Sequence, residues 1–410
     1  MDNSAPHRYL WQLSKQYGPL MSLRLGFIPT IVVSSARIAK EVMKTHDLKF
    51  ASRPSLIGPR RLSYNCLDLA FSPYNDYWRE MRKICVLHLC TLKRVQSYTP
   101  IREYEVSEMI EKISKLASAS KLINLSETVM FLTITIICRV SFGKRYEDEG
   151  CETSRFHGLL NDAQAMLGSF FFSDHFPLMG WLDKLTDLTA RLEKTLRDMD
   201  LFYQEIIEDH LKPDRKKQEQ EDITDVLIEL QKDNSFAIDI TWDHIKGVLM
   251  NIFVGGTDAG TATVIWAMTA LMKNPRVMKK AQEEVRNTFG KKGFIGEDDV
   301  EKLPYLKAVV KETMRLLPAA PLLLPRETLQ KCSIDGGQNY KLIPFGAGRR
   351  VCPAIHIGAV TVELTLANLL YSFDWEMSAG MNKEDIDFDV IPGLTMHKKN
   401  AFCLMAKKYN

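Results

Sequence analysis

Between Thr241 and Pro275 the chain reads WDHIKGVLMNIFVGGTDAGTATVIWAMTALMK, with apolar residues recurring near every 3.6 positions and no proline inside. Thr241 stands where an N-cap belongs, and Asn274-Pro275 is a natural stop. A helix from Trp242 to Lys273 would be about 50 Å long, enough to cross an entire domain. Only a large domain can cover such an element. Its middle, Phe253-Val254-Gly255-Gly256-Thr257-Asp258-Ala259-Gly260-Thr261, holds glycines that are each about 1 kcal/mol worse than alanine in a helix. Something flat against that stretch, a bulge, or close packing of a second helix would each account for them.

Helical signals surround it. Asp76 to Leu87, Arg102 to Leu116, Thr189 to Leu211, Thr224 to Lys232, Pro275 to Phe289 and Val300 to Leu317 all carry apolar residues at helical spacing. Val129 to Cys138 (VMFLTITIIC) is too short to span a membrane and reads as a buried core helix. Two strand-like pieces, Leu20 to Leu25 and Ile28 to Val33, are parted by Gly26 and Phe27. Lys212 to Asp222 (KPDRKKQEQED) reads as a solvated loop. No Pro/Gly/Ser-rich linker or internal repeat divides the 410 residues, so the expectation is one large domain, mainly α with small β-sheets.

Charge and cysteine usage exclude several classes. Lys+Arg 54 against Asp+Glu 51 leaves a net charge of +3, too weak a field to suggest nucleic-acid binding. The eight cysteines form no CxxC pair, which argues against a zinc ribbon or a disulfide scaffold. The start, MDNSAPHRYLWQLSKQYG, is polar and amphipathic, so neither a signal peptide nor an anchor is expected in the chain as given. Ser169 to Leu185 (SFFFSDHFPLMGWLDKL) clusters aromatic and apolar residues, which suits peripheral membrane contact or packing between helices equally.

One cysteine stands apart. Ile343-Pro344-Phe345-Gly346-Ala347-Gly348-Arg349-Arg350-Val351-Cys352-Pro353 sets Cys352 in a tight loop ahead of a long apolar helix, Ile355 to Leu370. A helix N-terminus and two adjacent arginines both favour thiolate over thiol. Pro353 would supply the first helical residue without a wasted N–H. A thiolate facing a cavity in this setting is a metal ligand or a nucleophile.

Phe345-x-x-Gly348-x-Arg350-x-Cys352-Pro353 resembles the haem-binding loop of the cytochrome P-450 superfamily. The resemblance implies that fold, with Cys352 as axial thiolate of haem b (iron protoporphyrin IX) and Pro344, Phe345 and Gly348 shaping the loop. Such a thiolate donates electron density to iron and favours O–O cleavage. Ala354 stands where the family usually has Gly. Glu312-Thr313-Met314-Arg315 is similar to the structural E-x-x-R pair, whose charges meet on one helix face. Trp78-x-x-x-Arg82 resembles the family's W-x-x-x-R helix, and Pro325-Arg326 falls at another propionate-binding position. With Arg350, the resemblance implies three cations around two carboxylates. Phe50-Ala51-Ser52-Arg53-Pro54 and Arg191-Leu192-Glu193-Lys194 are similar to the plant A-type branch.

The chain also departs from the family. Gly255-Gly256-Thr257-Asp258-Ala259-Gly260 resembles the oxygen-activation motif, which implies Asp258 as acid or proton relay, but Ala259 replaces the motif's threonine. Thr257 and Thr261 are the nearest hydroxyls, and Thr261 faces elsewhere on an ideal helix. Pocket-facing candidates by the resemblance are Gly255, Thr257, Ala259, Leu322 to Leu324, Leu394 and Thr395. The anchor helix and Pro-rich hinge of microsomal members have no counterpart. Ser333-Ile334-Asp335-Gly336 runs straight into Gly337-Gln338-Asn339-Tyr340, where the family carries several dozen more residues. Those include the arginine that completes the E-x-x-R network, so Glu312 and Arg315 are expected to lack their usual partner.

The activity the resemblance implies is haem-thiolate monooxygenation of a small apolar or amphipathic substrate. It would use O2 and electrons from an NADPH-cytochrome reductase, in plant specialised metabolism with aldoxime-type substrates as one option. The family setting is the cytoplasmic face of the endoplasmic reticulum membrane; without an anchor, a soluble form is the other reading. Two further readings stay open: a haem-binding chain without turnover, and a haem-thiolate isomerase or dehydratase.

Overall fold

The structure, a computed structural model, describes residues 5–145, 151–215, 220–233, 235–332, 343–378, 380–391 and 393–409. The 336/337 junction lies outside the described residues. The long helix is continuous over Trp242–Lys273. It starts where the Thr241 N–H donates to His244 Nδ1 (3.0 Å), and it stops at Asn274 because Pro275 opens the next helix, Pro275–Phe289.

Its principal neighbour is the helix Leu125–Phe142. A Cβ on Gly256 would lie 2.7 Å from Ile137 Cδ1, and one on Gly260 3.6 Å from Thr133 Cγ2. Gly255 has nothing within 4 Å. Close packing therefore explains Gly256 and Gly260, an open face explains Gly255, and there is no bulge. Trp266 is wholly buried one turn further on, and its indole N–H donates to Met396 O (2.7 Å), so no donor is stranded.

Leu125–Phe142, Trp242–Lys273 and Ile355–Ser372 are each long and apolar enough to cross a membrane by length and composition. Half to two-thirds of their apolar windows are buried against the rest of the chain, so they serve as core helices. The buried helix expected around Val129 to Cys138 is the first of them.

Seven strands are present among the described residues. β1 (Leu20–Leu25) and β2 (Ile28–Val33) form an antiparallel hairpin that pairs Leu25 with Ile28 across Gly26 and Phe27. Gly26 has φ +61°, and a Cβ there would sit 2.4 Å from His175 O, to which the Phe27 N–H donates (2.8 Å). Glycine thus lets the hairpin tip dock on the segment around His175. β3 (Ile123–Asn124), β4 (Phe373–Met377) and β7 (Cys403–Lys408) form a sheet of order β3-β7-β4, and β5 (Val390–Ile391) pairs with β6 (His397–Lys398).

Two expectations need correction. Val300 to Leu317 is not one helix but Glu297–Val300 and Pro304–Leu316, because Pro304 has no N–H to continue a ladder and suits a first turn. The charge run is not solvated throughout. Buried Asp222 accepts the Asp225 N–H (2.9 Å), capping Ile223–Lys232, and binds Arg215 (2.9 Å) and His210 (3.0 Å).

Candidate functional site

The Cys352 loop is closed by its own backbone. Gly346 N–H donates to Ile343 O (3.0 Å), placing Pro344 and Phe345 in a turn, and Cys352 N–H donates to Phe345 O (3.0 Å). Gly348 has φ +69°, and a Cβ there would lie 2.2 Å from Met43 O and from Asp47 Oδ1. Only glycine lets this loop meet the segment 43–47. The helix that follows spans Ile355–Ser372, so Pro353 precedes it instead of opening it.

The arginines on either side of the loop face away from the thiol. Arg349 turns to Asp47 (3.4 Å), while Arg350 donates to the carbonyls of Ala51 (2.7 Å), Leu69 (3.2 Å) and Ser72 (2.6 Å). The cation that acts on Cys352 is Arg82, whose Nη2 donates to Val351 O at 2.6 Å. Burial pushes the Cys352 thiol up, against the Ala354 N–H and Arg82, which pull it down. The expected bias toward free thiolate is therefore overturned by desolvation; a bound metal cation is what would reverse it.

Four guanidinium groups gather beside this loop. Asn75 caps Asp76–His88 by accepting the Trp78 N–H (2.8 Å), which orients a helix carrying both Trp78 and Arg82. The buried Trp78 ring lies under Arg350 (4.0 Å) and Arg82 (5.5 Å), and its Nε1 donates to Leu69 O (3.0 Å). Arg326 donates to Ala347 O (3.0 Å) and Phe50 O (3.3 Å), with Asp47 at 3.6 Å. Arg53 donates to Ala70 O (2.9 Å), Leu324 O (2.9 Å) and Pro325 O (2.7 Å). Burial, reinforced by Arg350 and Arg326, drives Arg53 down to about 9, and burial with Arg326 and Arg82 drives Arg350 down to about 10. Asp47 and Asp68 offset this only in part, so the cluster is short of negative charge.

Apolar surface is uncovered at the same place. Val351, Ile355, Ile357, Ala359 and Val360 are half-exposed, whereas Leu364, Leu366, Leu369 and Leu370 further along the same helix are buried. On the long helix Gly255 and Ala259 are exposed. A thiol, a cation-rich cluster and two uncovered apolar helix faces suit a flat apolar group with two carboxylates and a metal at its centre. The residues fit a haem.

The long helix distributes its polar groups unlike the sequence expectation. Thr261 Oγ1 meets Thr133 Oγ1 (2.6 Å) and donates to Thr257 O (3.0 Å), inside the contact with Leu125–Phe142. Thr257 is fully buried and its hydroxyl has no partner. Neither hydroxyl lies on the exposed Gly255–Ala259 face, so neither stands in for the missing threonine. Asp258 is also enclosed: Gln164 Nε2 donates to Oδ2 (2.6 Å), and His397 Nε2 contacts Oδ1.

Glu312 and Arg315 form a bidentate pair (2.7 and 2.6 Å), as their spacing predicts. The pair lies open to solvent, with side chains 54% and 44% exposed. Leu322 is exposed, Leu323 and Leu324 half-exposed, and Leu323 has φ +56°. Leu394 and Thr395 are half-exposed; a Cβ on Gly168 would lie 3.4 Å from Leu394 N. A cleft of about 530 Å³ between Met272, Met278, Arg286, Trp375 and Tyr409 contains none of these residues.

Sequence reasoning missed Gln164 and His397, which no motif marks, and assigned Arg53 no role although it lies in a quoted segment. Ser169 to Leu185 resolves toward exposure: Leu178 (89%), Leu185 (73%) and Trp181 (60%) face outward, and the neighbouring hairpin tip adds Phe27.

Such a site defines a haem-thiolate protein. The cytochrome P450 family profile matches residues 2–340 and 335–405, and the chain belongs to that family. It is 46% identical to the 6,7,8-trihydroxycoumarin synthase of Pastinaca sativa, over 99% of this chain and 89% of that one. It is also 46% identical to that plant's 5-OH-xanthotoxin synthase, over 98% and 89% of the two chains. A zebra fish cytochrome P450 solved with abiraterone superposes with TM-score 0.80 at 22% identity, covering 99% of this chain and all of that one, and supports the fold. The protein is thus a plant A-type P450 monooxygenase with a haem cofactor, using O2, a redox partner and a small-molecule substrate.

Proposed function

We propose that the chain hydroxylates a phenolic coumarin-type substrate; Cys352 would ligate the haem iron through its thiolate, and Arg82, Arg326 and Arg350, backed by Arg53 and the Trp78 ring, would hold the two propionates. The single observation that carries the haem placement is the under-compensated guanidinium cluster next to a thiol. The haem, when bound, supplies dioxygen binding and reductive O–O cleavage. The chain's residues do the rest. Pro344, Phe345 and Gly348 hold the loop in which Cys352 N–H is fixed, Arg82 ties Val351 beside it, and Asp258, held by Gln164 and His397, is the carboxylate that relays protons at the long helix. Glu312 and Arg315 pair with each other on the helix Pro304–Leu316 that precedes Arg326. The name of one relative, which specifies a trihydroxycoumarin product, supports this substrate class over aldoximes.

Electrons come from an NADPH-cytochrome reductase, and the outward Leu178, Trp181 and Leu185 with Phe27 rest on the cytoplasmic face of the endoplasmic reticulum membrane. The chain is one P450 domain with a family segment left out between Gly336 and Gly337. In support, the family match breaks at 335–340, and the first relative aligns over 455 residues whereas this chain has 410. A second reading, a chain that holds haem without turnover, draws on the exposed Glu312–Arg315 pair. The test is full-length protein supplied with haemin, reductase, NADPH and 6,7-dihydroxycoumarin. A thiolate-type reduced carbon monoxide band with a hydroxylated product supports the proposal. The band without NADPH consumption selects the second reading, and no band rejects both.

A further inference from the structure

We propose that His397 is a positioning residue that delivers protons to Asp258, in place of the hydroxyl that Ala259 lacks. The inference rests on the haem reading above and adds to it a proton route particular to this chain. Asp258 is enclosed, with 4% of its side chain exposed, and Gln164 and His397 take one carboxylate oxygen each. Gln164 donates an amide proton it cannot give up. Nearby Lys398 is committed to Asp387 (2.6 Å), so its charge is already answered. His397 touches both sides with a group that can exchange protons: Nε2 meets the Asp258 carboxylate, while 26% of its side chain is open to solvent. In the proposed resting state Asp258 is the carboxylate, which only accepts, and the ring presents Nε2–H to it.

The transfer balances as a ring shuttle. Nδ1 takes a proton from solvent water, giving imidazolium. The Nε2–H bond then breaks, its electron pair stays on nitrogen, and an O–H bond forms at Asp258 Oδ1. The ring is left neutral with its proton on Nδ1, and exchange with water resets the tautomer. Ala259, the next residue along the helix, is exposed, so the space the proton has to reach lies beside Asp258. The Thr261 hydroxyl is engaged by Thr133 and by Thr257 O and takes no part.

The experiment compares His397→Gln and His397→Ala in the full chain. Glutamine keeps an N–H for Asp258 but has no proton to hand on, so a purely structural role is rescued by Gln and a relay is not. With haem, reductase and 6,7-dihydroxycoumarin, both variants should oxidise NADPH roughly tenfold more slowly than the parent, with an enlarged D2O effect in His397→Gln. Parental rates in His397→Gln overturn the proposal. An independent readout uses the haem-free chain labelled with 15N-histidine: of nine histidines, the one lost in His397→Gln should show a protonated Nε2, and a bare Nε2 overturns the proposal whatever the enzyme does. The reduced carbon monoxide band of each variant separates this outcome from failure of the haem reading, which would remove the band from the parent as well.

Discussion

The long helix has one closed flank and one open flank, and they follow different rules. Toward Leu125–Phe142, Gly256 sits under Ile137, Thr261 meets Thr133, and the Phe253 and Phe142 rings lie 6.2 Å apart. Elsewhere Gly255 has nothing within 4 Å among the described residues, and the first turns of Ile355–Ser372, a helix packed on the long one, are half-open. Ion pairs repeat the contrast. Arg102 is wholly buried on Glu297 (2.7 Å), while Glu312–Arg315 stands in solvent. One flank is complete from the chain alone; the other is shaped for something added.

Four substitutions in the haem-free or haem-loaded chain test that distinction, and a fifth marks its floor. Cys352→Ser should abolish the thiolate-type carbon monoxide band entirely while leaving the urea unfolding of the haem-free chain unchanged. A surviving band would show that the open flank takes its ligand from elsewhere. Arg102→Met leaves Glu297 without its buried partner and should lower unfolding stability by about 3–5 kcal/mol. A loss below about 1 kcal/mol would mean this buried pair behaves like a surface one.

Gly256→Ala drives a methyl toward Ile137, and the expected loss in the same urea assay is about 1–3 kcal/mol. Gly255→Ala has nothing to meet within 4 Å, so the helix should gain about 0.5–1 kcal/mol. Equal effects at these adjacent glycines would erase the two-flank description. Glu312→Gln should leave the haem-free unfolding midpoint where it is, since solvent already screens the pair; a clear drop would place Glu312 in a buried network.

Legibility followed the same division. The long helix and the β1–β2 hairpin were readable to the residue because periodicity and punctuation are local signals. Trp78, Arg82, Arg326, Arg350 and Cys352 were found by motif, and the fold does bring them together. What sequence could not supply was direction. Arg350 sits two residues from Cys352 yet turns to Ala51 and Ser72, and Thr261 turns into a helix contact. Burial reversed the expected charge preference at Cys352 for a related reason: desolvation depends on what surrounds a residue, not on its neighbours in the chain. The Asp258–His397 contact, 139 positions apart, left no local trace.

The guanidinium cluster also sets a schedule for biosynthesis. Arg53 bonds carbonyls 271 and 272 positions away, and Arg350 reaches back 299 positions to Ala51. A nascent chain has both halves of that knot in hand only after residue 350 has left the ribosome. Pigment capture is therefore a late event in the life of the chain, and a message that stops short of codon 350 yields a polypeptide without one side of that knot.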